Sequence, residues 1–273
     1  MSANTVYVIT GANKGIGRGI IAILLQRPAT TVLALVRDPA AETSATLASL
    51  PAAPGSALHV LPLDAAIGSD GGGSSSATAY TPQLATLAAA AGVSRVDVVV
   101  ANAGGSSGYK TVLDTEPADA AHDFAVNAVG PLRLFRAAWP LLMLSAAGGG
   151  GGGGDATAAA GAKFVYMTSS VGSIAGQREE SFPSTAYGMS KAAANWLLVK
   201  IGVELGPSGL SVMALHPGWV KTSMGQGIAD AIGFPEPPMT VEDSARACVE
   251  QIDRLGPETS GRFVSHDGKI LPW

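Results

Sequence analysis

Residues 6–20 read VYVITGANKGIGRGI, and how this stretch is parsed decides the fold. Its first residues are apolar or β-branched at nearly every position, as in a strand covered on both faces. Gly11, Gly15 and Gly17 then mark a turn, and Ile16–Leu25 has the character of a helix. Glycine permits positive φ in such a turn and lets backbone amides come close to a ligand. The amides that open the following helix face a space suited to the pyrophosphate of a dinucleotide. Glycines after a strand mark any tight turn when seen alone. Placed after the first strand of an alternating chain, they stand where dinucleotide-binding folds carry their phosphate loop.

That alternation continues outward from the turn. Candidate strands are Thr5–Thr10, Thr31–Val36, Ala57–Leu61, Val96–Ala101, Lys163–Thr168 and Leu210–Leu215, with a weaker seventh at Arg262–Val264. Between them lie candidate helices at Ile16–Leu25, Thr81–Ala91, Pro117–Leu144, Ser184–Leu205 and Val241–Leu255. Strand and helix in strict succession predict an α/β fold of the Rossmann-like, doubly wound kind: a parallel sheet with helices on both faces. No repeat and no linker divides the chain, so residues 1–273 are expected to form a single domain. Two low-complexity stretches, GSDGGGSSSATA from Gly68 and the glycine run at 148–154, fall between elements. They predict flexible surface loops near 68–79 and 147–161.

Composition excludes several classes of function. With 47% apolar and only 14% charged residues over 273 positions, the chain can bury a large core, and wholesale disorder is excluded. A net charge of −4 offers no electrostatic case for nucleic acid or an anionic membrane. The uncharged stretch from Ala137 to Gly154 contains Pro140 and ends in seven glycines, which argues against a membrane span. The N-terminal apolar run is too short for an export signal. The single cysteine, Cys248, rules out an internal disulfide and fits a reducing compartment. A cytoplasmic protein is the expectation. His59, His122, His216 and His266 show no ligand spacing, so no metal site is expected.

The glycine turn is spaced T-G-x-x-x-G-x-G rather than G-x-G-x-x-G, and here the chain resembles the short-chain dehydrogenase/reductase family. VANAG at 100–104 is similar to that family's Asn-Ala-Gly element beside the cofactor. TAYGMSK at 185–191 is similar to its tyrosine–lysine segment, and HPGWVKT at 216–222 to its Pro-Gly turn near the nicotinamide. These motifs follow the family's order and span nearly the whole chain. The resemblance implies a nicotinamide cofactor held by Gly11, Asn13, Lys14, Gly15, Ile16 and Gly17, by Asn102, Ala103 and Gly104, by Tyr187 and Lys191, and by Pro217, Gly218, Val220 and Thr222. Asp64, closing LHVLPLD, would reach the adenine. A 2′-phosphate calls for a cation where an NAD binder carries a carboxylate. Lys14 and Arg37 resemble the cations of the NADPH-preferring carbonyl-reductase branch, while Asp38 lies one place past the usual NAD-selecting acid. NADPH/NADP+ is the expected pair, ahead of NAD(H).

On a helix, Tyr187 and Lys191 share one face about 6 Å apart along the axis. A phenol has a reference pKa of about 10, and a neighbouring ammonium favours the phenolate; a shift of about three units corresponds to roughly 4 kcal/mol. A carbonyl under reduction also needs a hydrogen-bond donor on its oxygen. KFVYMTSSVGSIAG places two serines at the end of the fifth strand, where the family keeps its catalytic serine. Ser169 is the choice by distance from the strand and from Gly172, with Ser170 the rival by counting back from Gly176. Asn127, in DFAVNAVGPL, matches the family's asparagine, which holds a water linking the lysine to solvent. Trp219 and the segment 224–239 fall where the family has a variable substrate loop, apolar enough to suggest a hydrophobic or aromatic substrate.

These residues imply an NADPH-dependent carbonyl reductase, or an alcohol dehydrogenase running the reaction backwards, on a small-molecule carbonyl or alcohol. The alternatives are a non-catalytic NADP(H)-sensing protein and a lyase or epimerase using the cofactor transiently. A homodimer or homotetramer through the two long helices is expected of the family, although several of its carbonyl reductases are monomers.

Overall fold

The computed structural model describes residues 4–64, 75–148, 161–179 and 182–273. Seven parallel strands form one sheet: β1 (Thr5–Thr10), β2 (Thr30–Val36), β3 (Ala57–Pro62), β4 (Val98–Ala101), β5 (Lys163–Met167), β6 (Ser211–His216) and β7 (Arg262–Ser265). Their order across the sheet is β3-β2-β1-β4-β5-β6-β7. Order reverses between β1 and β4, which pair directly with Tyr7 opposite Val98. A crevice opens beyond the strand ends at such a reversal, and it is there that doubly wound sheets bind ligands. The glycine turn leaves β1 at this edge and the Asn-Ala-Gly element leaves β4 beside it.

The helices are α1 (Gly15–Leu24), α2 (Glu42–Ala45), α3 (Ser75–Ala90), α4 (Pro117–Phe124), α5 (Gly130–Gly148), α6 (Thr185–Leu205), α7 (Ser223–Ile232) and α8 (Val241–Arg254). Every residue of β2 and β5 is buried, as a sheet covered on both faces requires. One core joins Val8, Leu35, Phe164 and Val212 to Leu134 and Leu142 of α5 and Leu198 of α6. The other joins Ile9, Ala34, Val165 and Leu215 to Ile20 and Leu24 of α1 and Cys248 and Ile252 of α8. The α/β layering expected from the sequence is therefore present. Among the described residues, no helix is long and apolar enough to cross a membrane.

Three expectations need correction. The first low-complexity loop was expected to run to residue 79, but residues 75–79 belong to α3; helix-forming alanines at 77 and 79 outweigh the serines before them. Residues 68–74 lie outside the described residues. So does most of the second expected loop, of which 147–148 close α5 and 161 precedes β5. The segment 224–239, expected as a loop, contains α7, capped by the Thr222 side chain at its start and by Gly233 at φ 70° at its end.

Finally, Pro117–Leu144 is not one uninterrupted α-helix, because a π-helical turn occupies Ala125–Val129. Its cause is local. In an α-helix the N–H of residue 131 would bond the carbonyl of Asn127, but residue 131 is proline and has no N–H. The released Asn127 carbonyl accepts instead from the Tyr166 hydroxyl, 3.0 Å away on β5.

Candidate active site

The glycine turn is built for close approach. Gly11 and Gly15 have φ of 62° and 52°, in the left-handed region. A Cβ on Gly17 would stand 2.5 Å from the Gly11 carbonyl oxygen and 2.6 Å from Asn102 Nδ2, so no side chain fits there. Asn102 fastens the turn to β4: its Nδ2 donates to the carbonyls of Thr10 (2.9 Å) and Gly11 (3.2 Å). The amides of Asn102 and Ala103 both donate to Thr10 Oγ1 at 3.0 Å. No side chain caps the start of α1, which leaves its first amides open to an anion. This cradle fits the pyrophosphate of a dinucleotide.

The other candidate cofactor residues are placed as follows. Thr222 lies against the turn, its Cγ2 3.3 Å from where a Cβ on Gly15 would be. The Pro217 carbonyl accepts from Ser244 Oγ at 2.8 Å, Gly218 has φ 86°, and Val220 is buried in a bridge to Met239. Ile16 packs on the α1–α8 side of the core, and Asn13 Nδ2 donates to Thr43 Oγ1 at 2.8 Å. Lys14 and Arg37 are exposed, while Asp64 is half-buried just past β3. The Asp38 carboxylate accepts from the amide of Ala40 at 2.8 Å, tying it into its own turn.

Tyr187, Lys191 and Asn127 are all buried. Lys191 Nζ donates to the Met167 carbonyl at 2.8 Å and lies over two rings, 4.7 Å from the Tyr166 centroid and 5.4 Å from that of Tyr187. Asn127 accepts from the Gly105 amide (3.0 Å) through Oδ1 and donates through Nδ2 to the Gly105 carbonyl (2.8 Å) and Ser190 Oγ (2.9 Å). A Cβ on Gly104 would be 3.1 Å from Asn127 Oδ1 and 3.6 Å from Lys191 Nζ. The surroundings of the two serines differ. The Ser169 side chain acts on the Tyr187 phenol and opposes the rise that burial imposes on it, whereas Ser170 meets the Nδ1 of His216 through its backbone amide at 3.2 Å. His216 is pushed down to about 4 by burial and by the neighbouring His266, so it is neutral and can accept that bond.

The phenol is raised rather than lowered as expected, and burial rather than the lysine is the cause. Burial pushes the Tyr187 phenol above its ordinary value, with Tyr109 and Asp123 adding to the rise and only the Ser169 hydrogen bond opposing it. Burial likewise brings Lys191 down to about 7, with Asp123 opposing. Desolvation outweighs the pairing because both groups are withdrawn from water together. Tyr187 is thus held as a neutral phenol, the form that can donate a proton.

Above the site, aromatic side chains converge. Trp219 stands 6.2 Å from Phe182 and 5.2 Å from Phe234, and its Nε1 donates to the Gly225 carbonyl at 2.9 Å. Tyr109 reaches across to α7, donating to the Met224 carbonyl, and its ring fills the space a Cβ on Gly227 would need. A cavity of about 850 Å³, lined in part by Val171, Ile174, Phe182, Gly188 and Met189, opens beside α6 but excludes Tyr187 itself.

Several residues of this assembly escaped the sequence reading. Tyr166, Ser190, Asp123 and Asn195 are buried polar groups, and Asn195 Oδ1 accepts from Thr168 Oγ1 at 2.6 Å. Ser190 and Asn195 had a signal: they lie on the helical face of Tyr187 and Lys191, three to four residues on. Tyr166 and Asp123 had none in the pattern of the chain.

Comparison with known proteins agrees with this architecture. The family profile described as short chain dehydrogenase matches residues 5–232. The chain is 36% identical over 277 residues to norsolorinic acid ketoreductase nor1 of Dothistroma septosporum, covering 100% of this chain and 94% of the relative. It is 37% identical over 272 residues to the norsolorinic acid ketoreductase of Aspergillus parasiticus, covering 98% and 91%. Among solved structures, NADPH-bound carbonyl reductase from chicken fatty liver superposes with a TM-score of 0.81 at 26% identity over 100% of both chains. Carbonyl reductase Sniffer of D. melanogaster follows at 0.79 and 26%, over 99% of this chain and 100% of that one. With its glycine cradle, its buried tyrosine–lysine pair and this breadth of similarity, the chain belongs to the short-chain dehydrogenase family.

Proposed function

We propose that this protein is an NADPH-dependent ketoreductase acting on a ketone with a large apolar or aromatic body, and catalysing the reverse oxidation where conditions favour it. The observation that carries the reading is the burial of Tyr187 and Lys191 on one face of α6, with Lys191 Nζ 5.4 Å from the Tyr187 ring and against Gly104 of the Asn-Ala-Gly element.

The roles follow from that geometry. Gly11, Gly15 and Gly17 admit the pyrophosphate, the exposed Lys14 and Arg37 take the 2′-phosphate, and the Pro217–Thr222 segment flanks the nicotinamide. Bound there, the nicotinamide supplies the hydride. Ser169 donates to the carbonyl oxygen as charge gathers on it, and Tyr187 delivers its proton to the same oxygen. Lys191, in its charged form, steadies the phenolate left behind. Asn127 fixes the floor of the site through Gly105 and Ser190. The ring cluster of Phe182, Trp219 and Phe234 and the cavity beside it suit a flat, apolar substrate body; two relatives are named for reduction of norsolorinic acid.

The exposed Met189, Trp196, Val199 and Val203 form one apolar stripe along α6, which supports a homodimer or homotetramer over a monomer. A cytoplasmic location and a single domain over residues 1–273 complete the reading.

Its test is NADPH oxidation over a panel of aryl and alkyl ketones, with Tyr187→Phe alongside. The wild type should turn over at least one aryl ketone, and the variant should lose about 10²-fold or more in kcat while binding NADPH normally. Tight NADPH binding without turnover of any ketone would instead identify a cofactor sensor.

A further inference from the structure

One buried charge near the site has no part in the mechanism above. Asp123, the penultimate residue of α4, is completely buried. Its Oδ1 accepts from the Ser107 amide at 2.9 Å and the Ser107 hydroxyl at 2.7 Å. Its Oδ2 is the only buried side-chain polar atom among the described residues without a hydrogen-bond partner. Leaving a carboxylate oxygen unsatisfied in the interior is costly, so its retention calls for a reason.

The surroundings supply one. Asp123 precedes Asn127 by four residues at the entry to the π-helical turn, and α4 packs on α6. The loop after β4 touches both ends of the assembly: Gly104 sits against Lys191 Nζ and Asn127 Oδ1, and Ser107 clamps Asp123. Five other titratable side chains act on Asp123 or feel it. His122 and Asp119 lie on its own helix, Tyr109 on the loop, and Tyr187 and Lys191 on α6. Asp119 is already paired with Lys110 at 2.7 Å. Asp123 is the buried carboxylate whose charge reaches the buried ammonium, across the packed α4 and α6.

We propose that Asp123 is the buried counter-charge of Lys191, a positioning residue that biases the tyrosine–lysine pair through its field without touching substrate. The proposal rests on the ketoreductase reading for its catalytic consequence, but not for its electrostatic one. Two further observations agree with it. Asp123 is the one group that opposes the burial of Lys191, and it also helps hold the Tyr187 phenol protonated. Burial raises the Asp123 carboxyl above its ordinary value, and the two Ser107 donors oppose that rise and favour the ionised form.

The test measures urea-unfolding stability against pH for wild type, Asp123→Asn and Lys191→Met, and for the double variant. The titration step that Lys191→Met removes should move toward acid by about one pH unit in the Asp123→Asn background. Where wild type reduces a ketone, the alkaline limb of its kcat profile should move the same way, with KM nearly unchanged. A step and a limb that stay in place, whatever happens to kcat at its plateau, overturn the proposal and leave Asp123 a structural residue. Absence of ketone turnover in wild type speaks against the ketoreductase reading alone, because the stability step still decides this one. Should Asp123→Asn fail to fold, Ser107→Ala replaces it: losing the hydroxyl donor weakens the carboxylate, and the step must move toward acid by a smaller amount. An unmoved step in Ser107→Ala is likewise refuting.

Discussion

Replacing Lys191 with methionine keeps the length of the stem and removes the buried charge. In the folded chain burial brings this amine to about 7, against 10.5 for the exposed group. Above pH 10.5 both states are neutral and the site costs nothing. As pH falls from there to 7, the unfolded chain takes up a proton that the folded chain does not, so wild-type stability falls; below 7 both states are protonated and the loss stays constant. Within the window the slope is about 1.4 kcal/mol per pH unit. Allowing for half-titration at the lower end, wild type should gain about 2 kcal/mol over Lys191→Met between pH 7 and pH 9. Losing the bond to the Met167 carbonyl costs the variant about 1 kcal/mol at every pH, which offsets the curve without tilting it. Urea titrations followed by far-UV circular dichroism, at half-unit steps of pH, give the difference directly. A flat difference would mean that Lys191 keeps an ordinary ammonium in the fold, and the electrostatic description of the site would be wrong.

Three other outcomes are expected. Ser169→Ala should lower kcat by about 10²-fold, while Ser170→Ala should cost less than about tenfold; equal losses would cancel the distinction drawn between the two serines. Gly17→Ala places a methyl against the Gly11 carbonyl and Asn102 and should destabilise by about 1–3 kcal/mol, with NADPH affinity falling at least tenfold; thermal melts and fluorescence titration measure the two, and unchanged binding counts against the cradle. Arg37→Ala should reduce the NADPH-over-NADH preference in kcat/KM by roughly tenfold or more, and a preference that survives would place the 2′-phosphate elsewhere.

The sheet was legible because its strands are apolar at almost every position, a pattern that needs no tertiary information once both faces are known to be covered. The glycine turn was equally plain, since a left-handed φ at residues 11 and 15 is a demand on composition. What the chain did not reveal depends on partners distant in sequence. The break at Ala125–Val129 follows from Pro131, visible as a residue, but its consequence requires the Tyr166 hydroxyl brought in by β5. The helix after Thr222 was hidden by glycines that serve it as close-packing positions rather than as breakers: a Cβ on Gly225 would collide with the Val220 carbonyl, and one on Gly227 with Tyr109. The tyrosine–lysine pair was recognisable once the glycine turn and the Asn-Ala-Gly and Pro-Gly elements stood in register with it, whereas the direction in which its protons are biased was not. Burial decides that, and depth is a property of the folded body rather than of seven consecutive letters.

The bracing of Gly11 by Asn102 has a consequence for how the molecule comes together. The two residues are 91 positions apart, and the crevice they share does not exist until the first and fourth strands lie side by side. Contacts of that span form late, after loop closure has been overcome. A dinucleotide therefore has nothing to grip on a half-assembled chain, and its binding registers completion of the whole sheet. At a hundredfold excess over its dissociation constant it would add about 2.7 kcal/mol to the finished protein and none to the unfinished one, making cofactor supply a gauge of how much of the enzyme survives.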